Sequence, residues 1–326
     1  MSKEEDELTA ALAGFKAETP PASLYRFHGA RALGALRDGT LKISAPKDFN
    51  DPFEMWAGIT RNGLTADDVR RSLLAEQGLY QTTAKQKSPG FVVDDAFRAK
   101  VAKAVDADTK NWDIHLENCR TSVSSMAENL LGAACFSAFS ENELLGPVGI
   151  HHWGMYGDRH HGFVIEYDGE SDFFKAWAGI KWLFPVEYVE ERLQAQLKEF
   201  DVWTPAAMWG MLRRWSAVKC KLAWGNEKEW RLVVPLSHPQ VTKEDSGGVT
   251  LHFLPMWSTS QPPEQLSQST KVIRRVILGA KMKVDDPLRA AILSAVDQPH
   301  LAHVEVWQAK PCEKDFALKL TRIKPK

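Results

Sequence analysis

The stretch Trp224-Gly225-Asn226-Glu227-Lys228-Glu229-Trp230-Arg231-Leu232-Val233-Val234-Pro235 sets two carboxylates two residues apart, with an arginine following. Its second half is rich in β-branched and aromatic residues, opened by Gly-Asn and closed by Pro, which predicts a strand. Side chains on a strand alternate between faces, so Trp230, Leu232 and Val234 would share an apolar face, and Glu227, Glu229 and Arg231 the other. Two carboxylates on one face repel unless a cation sits near them or the chemistry uses their field. At the start of a strand such a pair could hold a sugar hydroxyl and stabilise a developing cation. The plainer reading is a solvated face on which Arg231 neutralises the glutamates. Composition alone favours the plainer reading, because structural ion pairs also crowd charges.

Other residues with chemical potential are scattered. Asn50-Asp51-Pro52 is a strong turn former held between Phe49 and Phe53, and a turn pinned by aromatics is built to keep one shape. Shaped loops of that kind are more often sites than linkers. Arg26 and His28, on an expected first strand, could grip a phosphate or ribose; an ordinary surface strand edge explains them as well. The segment His151 to His161 holds four histidines, but they are adjacent pairs, which do not converge on one ion as ligands three or four apart on a helix do, and HExxH is absent. No metal site is expected there. Asp48, Asp51 and Glu54 could form the carboxylate cluster of a metal-dependent nuclease, although the turn accounts for them too. There is no Gly-x-Ser-x-Gly elbow, no Walker loop and no GxGxxG after a strand.

These groups must be positioned by a chain of 326 residues, 44% hydrophobic and 25% charged, with net charge −1. That balance is ordinary for a soluble globular protein and supplies no global basic field for nucleic acid or anionic membrane. Four widely separated cysteines without CxxC spacing read as reduced thiols of a cytoplasmic protein. The acidic start lacks a signal-peptide pattern, and no apolar run reaches the length of a membrane span. Residues 3 to 17 are expected to form a loosely attached helical extension over 1–22. A domain over 23–326 follows, with strands at 23–28, 41–44, 133–140, 162–167, 183–189, 229–235, 249–255, 272–278 and 302–308. Helices are expected over 30–38, in an insertion at about 60–131, as a pair within 190–219, and from Asp286-Pro287 to Val296; Leu144 to His161 reads as helix or loop. Strands this interspersed with unequal helices give an α+β single mixed-sheet domain rather than a doubly wound sheet.

Tyr25-Arg26-Phe27, the run Phe49-Asn50-Asp51-Pro52-Phe53-Glu54, Cys135-Phe136-Ser137, Trp153 with Tyr156, His160 and Gly162, Trp224 with Glu227, Glu229 and Arg231, and Ile277-Leu278-Gly279 occur in an order and spacing that resemble the bacterial domain-of-unknown-function family 2971. The likeness spans roughly residues 24 to 308, and the FNDPFE turn is its most specific part. One departure is that His152 precedes Trp153 where the family usually has Met-Trp. The layout is also remotely similar to ADP-ribosyltransferases, which open with a strand bearing Arg or His, continue to a strand bearing Ser or Tyr, and end with a catalytic Glu, often as E-x-E.

That second resemblance implies an ADP-ribosyltransferase-like fold and an enzyme, an ADP-ribosyltransferase or NAD glycohydrolase, in a bacterial defence or toxin setting. NAD would be its substrate and a protein or nucleic acid its acceptor. Glu229 would stabilise the ribosyl cation and Glu227 would act as base. Arg26, His28 and Ser44 would meet NAD together with Asn50, Asp51 and His160, and Tyr156 or Trp153 would stack on nicotinamide. The alternatives are a non-catalytic nucleotide- or protein-binding module and the metal-dependent nuclease.

Overall fold

The computed structural model describes residues 14–29, 32–53, 58–60, 124–196, 205–258 and 260–324, with isolated positions besides. The chain divides into two compact units, one of residues 1–15, 50–129 and 189–220, the other of residues 16–49, 130–188 and 221–326. The fold class is α+β, as expected. The expected single domain with an insertion at 60–131 differs from this division, because 189–220 and the chain start join the same unit as residues 50–129. Most of 60–131 lies outside the described residues.

Chain order gives strands β1 (Ser23–His28), β2 (Thr40–Ile43), β3 (Gly58–Thr60), β4 (Leu131–Ser137), β5 (Phe163–Asp168), β6 (Leu183–Pro185), β7 (Glu187–Val189), β8 (Gln194–Gln196) and β9 (Val218–Cys220). They continue with β10 (Glu229–Pro235), β11 (Thr242–Ser246), β12 (Val249–Pro255), β13 (Ile273–Leu278), β14 (Glu305–Pro311) and β15 (Leu318–Lys324). The α-helices are α1 (Gly34–Arg37), α2 (Glu141–Leu145), α3 (Pro147–Tyr156), α4 (Asp172–Gly179), α5 (Pro205–Trp215), α6 (Lys221–Trp224), α7 (Pro263–Ser269) and α8 (Pro287–Val296).

The larger unit is built on a sheet of order β15-β14-β13-β5-β1-β4-β10-β6. Neighbours run antiparallel except β13 and β14, which are parallel and joined through α8, since a parallel pair needs a crossover. A second sheet, β11-β12-β2, is antiparallel. Both faces of the main sheet are covered. Tyr25, Val164 and Ile277 on one face pack against Leu144 of α2 and Trp153 of α3. Phe136 and Tyr167 on the other meet Phe174 of α4 edge-on.

Local chemistry sets the helix starts. Ser140 and Glu143 form a reciprocal capping box at α2. Pro147 and Pro287 open α3 and α8, and Asp286 caps α8 by accepting from Leu288 N–H.

Several expectations need correction. Residues 183–189 are two short strands rather than one, and within the expected helical pair at 190–219 the chain forms β8, paired parallel with β3, while residues 197–204 lie outside the described ones. Strands β11 and β15 were not foreseen; β11, Thr-Lys-Glu-Asp-Ser, is exposed along its whole length, an edge without the apolar alternation that signals a strand. Of the expected extension, residues 1–11 and 13 lie outside the described ones; Leu12 is buried, and the Arg213 guanidinium lies 4.9 Å from the Phe15 ring.

Candidate functional site

The register of the main sheet places Glu229 opposite Ser137, Ser137 opposite Tyr25, Tyr25 opposite Glu166, and Glu166 opposite Arg275. Residues directly opposite share a face, so five strands carry one continuous polar row. Its two ends differ. At the far end Arg275 pairs with Glu166 and with Glu141 of α2, at 3.1 Å for the latter, and Ser23 Oγ donates to Glu166 at 2.6 Å. Every charge there is answered.

The near end gathers the β10 carboxylates. Arg231 Nε donates to Glu229 Oε1 at 2.8 Å, and Nη2 lies at the same distance from that oxygen. The Tyr188 hydroxyl accepts from the Glu229 backbone N–H at 2.8 Å. The Arg231 guanidinium sits 5.7 Å from the Phe49 ring, so the first aromatic of the FNDPFE run covers the cation of the second motif. Glu229 is 4% exposed, Glu227 8% and Arg231 0%. The solvated strand face is therefore not what forms; only the neutralisation by Arg231 is present, and it is buried.

Glu227 is also not on the strand face, because β10 begins at Glu229 and Lys228 adopts φ 47°, which breaks the alternation. The side chain instead meets α3, whose Tyr156 hydroxyl donates to Glu227 Oε1 at 2.7 Å. Lys228 pairs with Glu143 of α2. That contact, with the Ser140 N–H, pulls the Glu143 carboxyl down to about 2.

The other expected residues lie elsewhere. Arg26 is one residue from Tyr25 and hence on the opposite face. Its Nη2 donates to Lys42 O at 2.9 Å and its guanidinium lies 5.8 Å from the Phe136 ring. His28 is on that same face, stacked on Phe163, and burial first and Arg26 second push its imidazole well below the ordinary range. Neither is brought to the Glu229 carboxylate. Ser44 exchanges backbone hydrogen bonds with Ala133, four residues along β4 from the row, roughly 13 Å away.

Trp153 is fully buried, edge-on to Phe27 at 5.3 Å and stacked on His160 at 6.1 Å. Both are packing residues, and Trp153 has no open face for nicotinamide. Asn50 and Asp51 belong to the smaller unit; Asp51 Oδ1 accepts from Phe53 N–H at 2.9 Å, closing the expected turn. Among the described residues no group of three His, Cys, Asp or Glu could hold a metal, and Glu54 lies outside them.

Of the expected residues the fold thus joins Glu227 to Tyr156, and around Glu229 it sets Arg231 and Tyr188, with Phe49 beside the Arg231 guanidinium. Tyr188 carries no motif that could have marked it. β1 and β4 meet only at Tyr25 and Ser137. Beyond that pair Ser44 takes over the pairing with β4 at Ala133, so the sheet parts beside the Arg231 row. No family model matches the chain, and no curated protein or solved structure is found similar to it. The two family resemblances rest on their motif residues. Among the described residues no helix is long and apolar enough to cross a membrane.

Proposed function

We propose that the protein is an enzyme that cleaves the N-glycosidic bond of a nicotinamide nucleotide, passing the ribosyl group to water or to an acceptor. The observation that carries this reading is the pair of buried carboxylates at the head of β10, one fixed by Arg231 and the other hydrogen-bonded by Tyr156. Breaking such a bond leaves positive charge on the ribose as nicotinamide departs with the bonding electrons. Negative charge held in a dry site stabilises that cation without reorganising when it forms. Glu229, held in its ion pair with Arg231, is a fixed acceptor for a ribose hydroxyl. Glu227 accepts the proton of the attacking hydroxyl. Arg26, on the other face, has no part in this reading, and neither do His28 and Trp153.

The test is release of nicotinamide from NAD, measured by chromatography. Glu227→Gln keeps size and removes the base, and is expected to slow release at least ~100-fold with an unchanged melting temperature. A parental protein that releases no nicotinamide overturns the reading.

One observation favours a second reading. Both Arg231 nitrogens converge on one Glu229 oxygen in full burial, an arrangement that suits a structural strut in a non-catalytic nucleotide- or protein-binding module. NAD binding by calorimetry without nicotinamide release would favour that module.

A further inference from the structure

We propose that the face of the main sheet turned away from Glu229 holds a site for the carboxylate group of a small monoanion, formed by Arg26 and His28 of β1 and Tyr167 of β5. Antiparallel pairing sets Leu24 opposite Tyr167, Arg26 opposite Ile165 and His28 opposite Phe163. The three polar residues therefore share one face, with Tyr167 diagonal to Arg26 at about 7–8 Å, within reach of long side chains. Each carries a buried atom with no hydrogen-bond partner among the described residues: Arg26 Nη1, His28 Nε2 and Tyr167 Oη. His28 is 7% exposed and Tyr167 0%. Polar atoms left unpaired at that depth are rare, and three at adjoining positions of one face call for a common partner.

Arg26 decides the sign of that partner. Its Nη2 donates to Lys42 O at 2.9 Å, and its guanidinium lies 5.8 Å from the Phe136 ring. These contacts offset part of the lost hydration and bring no negative charge. Burial pulls the guanidinium below its ordinary range, and the groups that oppose it are the Tyr167 phenol and the Cys135 thiol, neither ionised at neutral pH. The Arg26 charge in turn lowers the His28 imidazole and counters the burial that raises Tyr167, so it reaches both neighbours. A buried charge without a counter-charge is strongly destabilising. Water would satisfy the phenol and the imidazole and leave the charge unanswered.

One cation beside two neutral groups matches a single negative charge. A carboxylate can accept from Nη1 at one oxygen and from Tyr167 or His28 at the other. A phosphate dianion would add a second charge that this face does not balance. The fold also gives a way in. Past the Tyr25–Ser137 pair β1 leaves β4, and Ser44 meets Ala133 instead. Arg26 stands at that parting and is only partly buried. The inference is independent of glycosidic-bond cleavage, since it concerns the opposite face and needs no turnover.

The probe is carbon-13 formate, whose NMR line broadens when it exchanges on and off the full chain. Broadening is expected, and neither phosphate nor chloride at equal ionic strength should reverse it. Arg26→Met removes the charge that needs an answer, and is expected to melt no lower than the parent and to abolish the broadening. Tyr167→Phe keeps the packed ring and is expected to weaken formate binding about three- to tenfold. Absence of broadening at millimolar formate overturns the proposal, as does broadening that survives in Arg26→Met or yields equally to phosphate or chloride. Unchanged affinity in Tyr167→Phe overturns the three-residue site.

Discussion

A guanidinium withdrawn wholly from water, as in Arg231, loses hydration worth several kcal/mol and stays charged only if a partner offsets that loss. Its neighbours in register are Cys135 and Phe184, neither of them an acid, and Glu229, two residues along the same strand, pairs with it. Arg231→Met should strand Glu229 in a buried site and cost about 3–5 kcal/mol. Removing both charges in Arg231→Met with Glu229→Leu should recover most of that. Urea unfolding of the two variants checks it; a single variant as stable as the parent would mean the pair is solvated in solution. The pairing itself was legible in the sequence from the spacing of residues 229 and 231 on one strand face. Burial was not, because alternation says which residues share a face and nothing about what covers it. Nor was the displacement of Glu227, since nothing about a lysine at 228 announces a left-handed backbone.

The connection from α3 to β5 shows the same limit at the next scale. Histidine, tryptophan and glycine in 144–161 suggested helix or loop, and a helix is found to Tyr156. Past the helix end the chain enters a turn in which Asp158, Arg159 and His160 all have positive φ, of 49°, 53° and 72°. Side chains other than glycine pay for that conformation, about 1–2 kcal/mol per residue. The turn persists because its surroundings hold it: His161 N–H bonds to Asp158 O and Lys281 N–H to His160 O, each at 2.9 Å. Gly162 is pressed against the His28 carbonyl, where a Cβ has no room. Arg159→Gly should relieve the backbone strain at one position while adding about 0.5–1 kcal/mol of unfolded-state entropy. The net expectation is a gain of up to about 1.5 kcal/mol, read as a higher urea midpoint. A loss would show that the Arg159 side chain contributes more than its backbone costs.

Across the whole molecule the α+β class followed from the order of strands and helices. The division into two units did not, because it joins segments far apart in sequence, 1–15, 50–129 and 189–220, whose contacts leave no local pattern. A property that belongs to the whole is its response to acid. Burial holds His28 well below its ordinary range, and His160, His252 and His300 are lowered in the same direction, desolvation first in each case. Above the unfolded value of 6.5 these imidazoles are neutral in both states and have no effect on the slope. Below it the unfolded chain takes up protons that the folded chain refuses, so stability falls as pH falls, by up to about 1.4 kcal/mol per pH unit for each fully withdrawn group. One carboxylate acts in a lower window. Glu143, at about 2 against 4.5 when unfolded, loses its contribution only as pH drops through that lower range. Between pH 6.5 and 5 the histidines should therefore set the curve, with His28 the largest single contributor because it is the most deeply withdrawn. His28→Gln should flatten the urea midpoint over pH 6.5 to 5 and leave it unchanged in slope above 7. A variant as acid-sensitive as the parent in that window would place the proton uptake on the other three histidines.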